Sequence, residues 1–270
     1  MTSRPYRFAV LLTALLGLAA CSQQQAPAPA QTAPGTPAAD SAPAAAPAPA
    51  QAAAQQPEPA APPVPAAAPT PPQGPAPVAG TDYVEIPGGQ PYEPANGKIE
   101  VVEVFGYTCP HCAHFEPLVE AWRARQPADV KFIALAAPFG GYWEPYAKAF
   151  FAAQALGVQE RSHKAVFDAI HVQRTLPVQP LPSNEQIGAF YAQYGVDAKQ
   201  FANTMASFAV GAKMKRAQQF IMRSGIDATP TLVVNGKYRI TGKSFEDTLR
   251  IADHLVAQER AKLAGAAAGG

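Results

Sequence analysis

The sequence predicts an α/β fold in which a helical domain is inserted between a β-α-β half and a β-β-α half. Three observations predict it. A branched, apolar run at residues 98–105 is followed by a helical pattern and a second branched run at 130–136. Helix-compatible spacing then dominates residues 143–224, where the next strand of a simple α/β unit would fall. Two short branched runs joined by Asn235-Gly236, and one more helical pattern, close the chain.

Residues 98–105 carry branched side chains on both faces, as a strand buried on both sides requires. Gly106, Tyr107 and Thr108 then deliver Cys109 to the start of a helix running to about residue 125. Pro110 suits its first turn, where a missing N–H costs nothing. Residues 130–136 read as the next strand, parallel to the first across the helix. Helices are expected at 143–156, 160–171, 185–194, 198–206 and 210–224. The run Ser183-Asn184-Glu185-Gln186 looks like a helix start, and Gly157, Gly195 and Gly225 look like stops. Asn-Gly between branched residues is the strongest short-range hairpin signal, which places strands at 231–234 and 237–240. A helix at 245–263 ends the domain, with residues 264–270 expected to be a disordered tail.

Only about two thirds of the 270 residues belong to this domain, taken as residues 81–263. Arg4 and Arg7 precede an apolar run from Phe8 to Ala20, too short to span a bilayer comfortably and suited to a signal peptide over residues 1–20. The run ends Leu18-Ala19-Ala20-Cys21, which resembles a bacterial lipobox. That resemblance implies lipidation of Cys21 and a membrane anchor, and Ser22 leans toward the outer membrane over the inner. Residues 21–80 then form a disordered tether. Seventeen of the chain's thirty prolines lie between Ala26 and Pro77, and no Lys or Arg occurs from Ser22 to Gly80. Such a stretch lacks the apolar surface to offset its ordering entropy and favours extended conformations. The net charge of +1 excludes the broad basic excess of a nucleic-acid binder.

The chemistry is concentrated in Cys109-Pro110-His111-Cys112. Cysteines at i and i+3 of a helix share a face and come within disulfide reach after a modest shift. The first sits where unpaired N–H groups and the positive end of the helix dipole converge, which favours thiolate. His111 adds to that effect as a cation or donor, and Cys112, one turn deeper, is shielded. Glu103 interrupts the apolar strand six residues before Cys109, and a buried carboxylate tends to stay protonated. A single Cys-x-x-Cys with His111 and His114 nearby is a weak zinc signal, so no metal is expected. Phe139, Tyr142, Trp143, Tyr146, Phe150 and Phe151 read mostly as helix core. His163, His171 and His254 show no partner in the sequence.

The strand, Cys-Pro-His-Cys at a helix start, the helical insertion and Ala228-Thr229-Pro230 before the hairpin together resemble the DsbA family of disulfide oxidases, over roughly residues 83–263. The resemblance implies a thioredoxin-like fold and a thiol:disulfide oxidoreductase that introduces disulfides into exported proteins. It implies no cofactor beyond the redox-active Cys109–Cys112 pair, and a monomer in the periplasm. Its substrates would be reduced, unfolded exported proteins, and a DsbB-like membrane oxidase would restore it. It also implies a cis Pro230 against the cysteines, with Thr229 offering backbone groups to substrate. Glu103 and Glu116 match family glutamates, and Lys131 is the candidate for a family lysine. Reductase or isomerase chemistry stays open, because Thr229 before the proline is common among isomerases. So does a different class, a non-enzymatic periplasmic chaperone or metal-binding lipoprotein.

Overall fold

The computed structural model describes residues 69–269; the expected signal peptide, Cys21 and the expected tether up to residue 68 lie outside the described residues. Strands β1 (Tyr83–Glu85), β2 (Ile99–Phe105), β3 (Val130–Ala136), β4 (Thr231–Val234) and β5 (Tyr238–Ile240) form one sheet in the order β1-β5-β4-β2-β3. β2 is an interior strand between β4 and β3, parallel to β3 and antiparallel to β4, and every residue of it is buried. Helix α1 (Pro110–Ala124) links β2 to β3. Five helices fill the insertion: α2 (Glu144–Ala155), α3 (Gln159–His171), α4 (Asn184–Tyr191), α5 (Ala198–Met205) and α6 (Phe208–Arg223). Helix α7 (Phe245–Ala268) closes the fold. The expected thioredoxin-like plan with an inserted helical domain is the one observed.

Alternation along β2 divides the core. Val102 and Val104 face the cluster built with α2, α3 and α6. Ile99 and Val101 face the cluster of α1 and α7, with Phe115, Trp122 and Leu255. Glu103, two residues on from Val101, is therefore directed beneath α1. Trp122 Nε1–H donates to Asp253 at 2.7 Å, tying α1 to α7.

Local signals hold at several ends. Ser183 and Gln186 make a reciprocal capping box at α4. Gly157, Gly195 and Gly225 all have positive φ where helices stop. Asn235 (φ 51°) and Gly236 (φ 64°) turn the β4–β5 hairpin. A side chain at Gly236 would also strike the Gln90 carbonyl, 1.9 Å from an ideal Cβ. The hairpin is pinned from both sides: Asn235 Oδ1 accepts from the Glu100 N–H at 2.8 Å, and Asn235 Nδ2 donates to Glu259 at 2.8 Å. Burial opposes charge on Glu259, yet hydrogen bonds from Lys237, Asn235, Lys262 and Tyr238 outweigh it and hold its pKa at about 2.

Three expectations need correction. The 264–270 tail is not disordered throughout, because α7 runs to Ala268; alanine is the best helix former and simply prolongs an anchored helix. The tether does not extend to residue 80. Arg250 on α7 donates to the Pro75 carbonyl, and His254 Nε2 lies 3.3 Å from the Gln73 carbonyl. Residues 185–194 are not one helix, since Ala192–Tyr194 tightens to a 3-10 turn before Gly195. Strand β1, too short to show a pattern, was not foreseen.

Candidate active site

Cys109 is the N-cap of α1, in extended conformation, with Pro110 opening the helix. The Cys112 N–H donates to Cys109 Sγ at 3.4 Å, and Cys109 Sγ–H donates to the Thr229 carbonyl at 3.6 Å. Both cysteines are free thiols and buried; Cys109 keeps 7% of its surface exposed and Cys112 none. The hydrogen bond from the Cys112 thiol is the main stabiliser of a Cys109 thiolate. Burial works against it, and the Thr229 side chain and the N–H groups of Cys112 and His111 add to it. The balance lowers the Cys109 pKa to about 5. Burial, followed by the hydrogen bond it gives Cys109, pushes Cys112 the other way. One cysteine is thus primed as a nucleophile and leaving group, while the other is held as a thiol.

The Thr229–Pro230 bond is cis, as expected, and sets Thr229 against Cys109. Pro110 and His111 lie on the exposed side of the helix start, so the contribution of His111 resolved here is its backbone N–H. A second cis bond, Gln179–Pro180, was not anticipated.

Glu103 retains 2% exposure. Burial first, then the negative charges of Glu116, Glu120 and Cys109, push its carboxyl well above the usual range. Its charge in turn raises Cys112, so a protonated carboxyl stands within electrostatic reach of the buried thiol. Glu116, also buried, comes from the next turn of α1. Lys131 does not join them. It is bound to Glu93 at 2.6 Å, and the β3 residue paired with Glu103 is Ala134. A strand position three residues from the needed register, paired with Glu100, cannot bring that ammonium under the cysteines.

Two histidines that the sequence left without partners have them. Tyr107 Oη and His163 Nδ1 are 2.8 Å apart, and His163 Nε2 lies 3.4 Å from Glu116 Oε2. His171 Nε2 sits 2.7 Å from the Tyr107 carbonyl. Both come from α3, so only the tertiary fold brings them to the loop before Cys109; helical spacing alone carries no such signal. The aromatic group splits. Tyr146, Phe150 and Phe151 are core, whereas Phe139 and Tyr142 are exposed around Trp143. Trp143 covers Gly106 so closely that an ideal Cβ there would lie 2.0 Å from its ring.

Comparison with known proteins agrees with this geometry. The family model described as thioredoxin matches residues 94–254. The chain is 42% identical over 186 residues to the thiol:disulfide interchange protein DsbA of Pseudomonas aeruginosa, covering 68% of this chain and 86% of that protein. It is 41% identical over 184 residues to the protein of that name from Azotobacter vinelandii, covering 67% and 84%. The crystal structure of oxidoreductase DsbA from Xylella fastidiosa superposes with a TM-score of 0.67 at 51% identity, over 68% of this chain and 98% of that one. That of Pseudomonas aeruginosa DsbA gives 0.62 at 41% identity, over 68% and 95%.

Proposed function

This chain belongs to the DsbA family of thiol:disulfide interchange proteins, and we propose that Cys109 is the sulfur through which it exchanges disulfides with its substrates. It is a thiol–disulfide oxidoreductase that introduces disulfide bonds. The observation that carries the residue assignment is the opposed pair of thiols, Cys109 lowered to about 5 and Cys112 raised. A substrate thiolate attacks Cys109 Sγ of the enzyme disulfide, and the S–S bond breaks with its electron pair on Cys112 Sγ. Cys112 takes a proton from Glu103. The substrate's second thiolate then attacks the mixed disulfide, forms the substrate disulfide and expels Cys109 as its stabilised thiolate. Both enzyme sulfurs finish reduced, and the two electrons come from the substrate.

Thr229 and Pro230 supply the edge against which an extended, reduced and unfolded exported protein lies. The redox-active pair serves without a further cofactor. A DsbB-like membrane oxidase accepts the electrons. The lipobox supports anchoring through Cys21, Ser22 after it leans toward the outer membrane over the inner, and the family resemblance supports a periplasmic monomer. The test is exchange with a reduced two-cysteine substrate protein. Cys109→Ser abolishes oxidation, and Cys112→Ser accumulates an enzyme–substrate mixed disulfide; no trapped species would reverse the assigned order. A reduction potential near that of thioredoxin would replace the oxidase reading with the reductase one.

A further inference from the structure

Breaking the enzyme disulfide leaves a negative charge on Cys112, in a place with no exposed surface. Glu103 can neutralise it, but Glu103 is itself buried and must recover a proton before the next turnover. A groove of about 1020 Å³ between α1, β3 and α3 reaches Glu103 from outside, and Glu116 and His163 stand in its wall beside it.

In that wall Glu116 and His163 form a pair. His163 is held by its Nδ1 to Tyr107 Oη at 2.8 Å and presents Nε2 to Glu116 at 3.4 Å. Burial keeps the Tyr107 phenol protonated, so it can donate to Nδ1 and leave the hydrogen on Nε2, facing the carboxylate. Phe105 and Phe167 pack edge-on to the ring at 4.9 and 5.4 Å and fix its plane. The side chains of His163 and Glu116 keep 12% and 10% exposure, enough for contact with water in the groove.

The charged neighbours do not displace this pair. On α1, Arg123 is shared between Glu120 and Glu160, each at 3.5 Å. On α3, Lys164 is bound to Asp168 at 2.6 Å. From β3, Lys131 is bound to Glu93; Arg161 donates to the Tyr194 carbonyl, and α2 presents Phe150 to the ring. Among the described residues, His163 is the one basic group paired with Glu116. Imidazole gives and takes a proton readily near neutral pH.

We infer that His163 is a positioning residue for disulfide exchange, passing a proton between water in the groove and Glu103 by way of Glu116. For each substrate oxidised, one proton enters by this path as Cys112 becomes a thiol. It leaves when the enzyme disulfide is re-formed. The inference rests on Glu103 as the proton partner of Cys112, and the experiment separates the two.

Single-turnover oxidation of a reduced two-cysteine peptide is followed across pH for the parent, His163→Gln, His163→Ala and Glu103→Gln. Thiolate absorbance at 240 nm reports Cys109 independently. Loss of a relayed proton step slows exchange by roughly a hundredfold at pH 7. Both His163 variants are expected to show that loss and an altered pH profile while keeping the Cys109 titration midpoint. Added imidazole, small enough for the vacated site, is expected to restore His163→Ala. Gln conserves much of the side-chain volume and carries the test if the Ala variant fails to fold. Parent-like rates and profile in His163→Gln with a slowed Glu103→Gln overturn the role of His163 alone. An unslowed Glu103→Gln overturns the reading on which it rests. A slowed His163→Ala with an unchanged profile and no response to imidazole marks the ring as packing and also overturns the inference.

Discussion

Acidifying the reduced protein is expected to cost it stability through Cys109. In the unfolded chain this thiol titrates near its ordinary value of about 8.5, whereas in the fold it titrates at about 5. Between those limits the unfolded state holds one proton more than the native state, so unfolding free energy rises with pH. The contribution is complete above the unfolded value and disappears as pH falls through 5. Its full size is about 4–5 kcal/mol, and about 2.7 kcal/mol of it is present at pH 7. Because the oxidised form has no thiolate to stabilise, the same 2.7 kcal/mol makes the pair more oxidising by about 60 mV at pH 7, the direction already established for DsbA proteins. The assay is guanidinium unfolding of the reduced protein from pH 4 to pH 8, with Cys109→Ala as reference so that groups the thiolate does not touch, such as Glu259, cancel. A difference between the two that stays flat with pH, or a 240 nm midpoint above 7, refutes the reasoning.

Two further outcomes are expected. Gly106→Ala places a methyl group where the Trp143 ring lies; overpacking of this kind costs roughly 1–3 kcal/mol, and an unchanged melting temperature would show that the ring gives way freely. Cys21→Ser is expected to abolish incorporation of radiolabelled fatty acid and release the protein from the membrane fraction, and persistent labelling would exclude Cys21 as the anchor.

Elements whose cause is local were legible in the sequence. Residues 130–136 form β3 with the expected ends, because a short, mostly apolar run lying half-buried at the sheet edge is marked by its own residues. The Asn235-Gly236 hairpin and the Ser183 cap are likewise set by neighbouring residues. The cysteine pair and Pro230 could be placed because they sit at the junctions of recognisable elements. What escaped depends on partners distant in the chain. β1 exists by pairing with β5 some 155 residues later, and three residues carry no alternation to detect. His163 meets Tyr107 across 56 positions. The family resemblance offers Lys131, but register sets it opposite Glu100 and its ammonium goes to Glu93. Composition also overstated the tether, because proline-rich backbone that cannot fold alone can still lend its carbonyls to Arg250 and His254.

That last contact has a mechanical consequence. The carbonyls of Gln73 and Pro75 are fastened to α7 before the chain reaches β1 at Tyr83. A pull applied upstream of Pro69 is therefore borne first by the long closing helix, through Arg250, and only afterwards by a three-residue edge strand. The strap works as a strain relief, sparing that edge strand from tension carried along the backbone ahead of it.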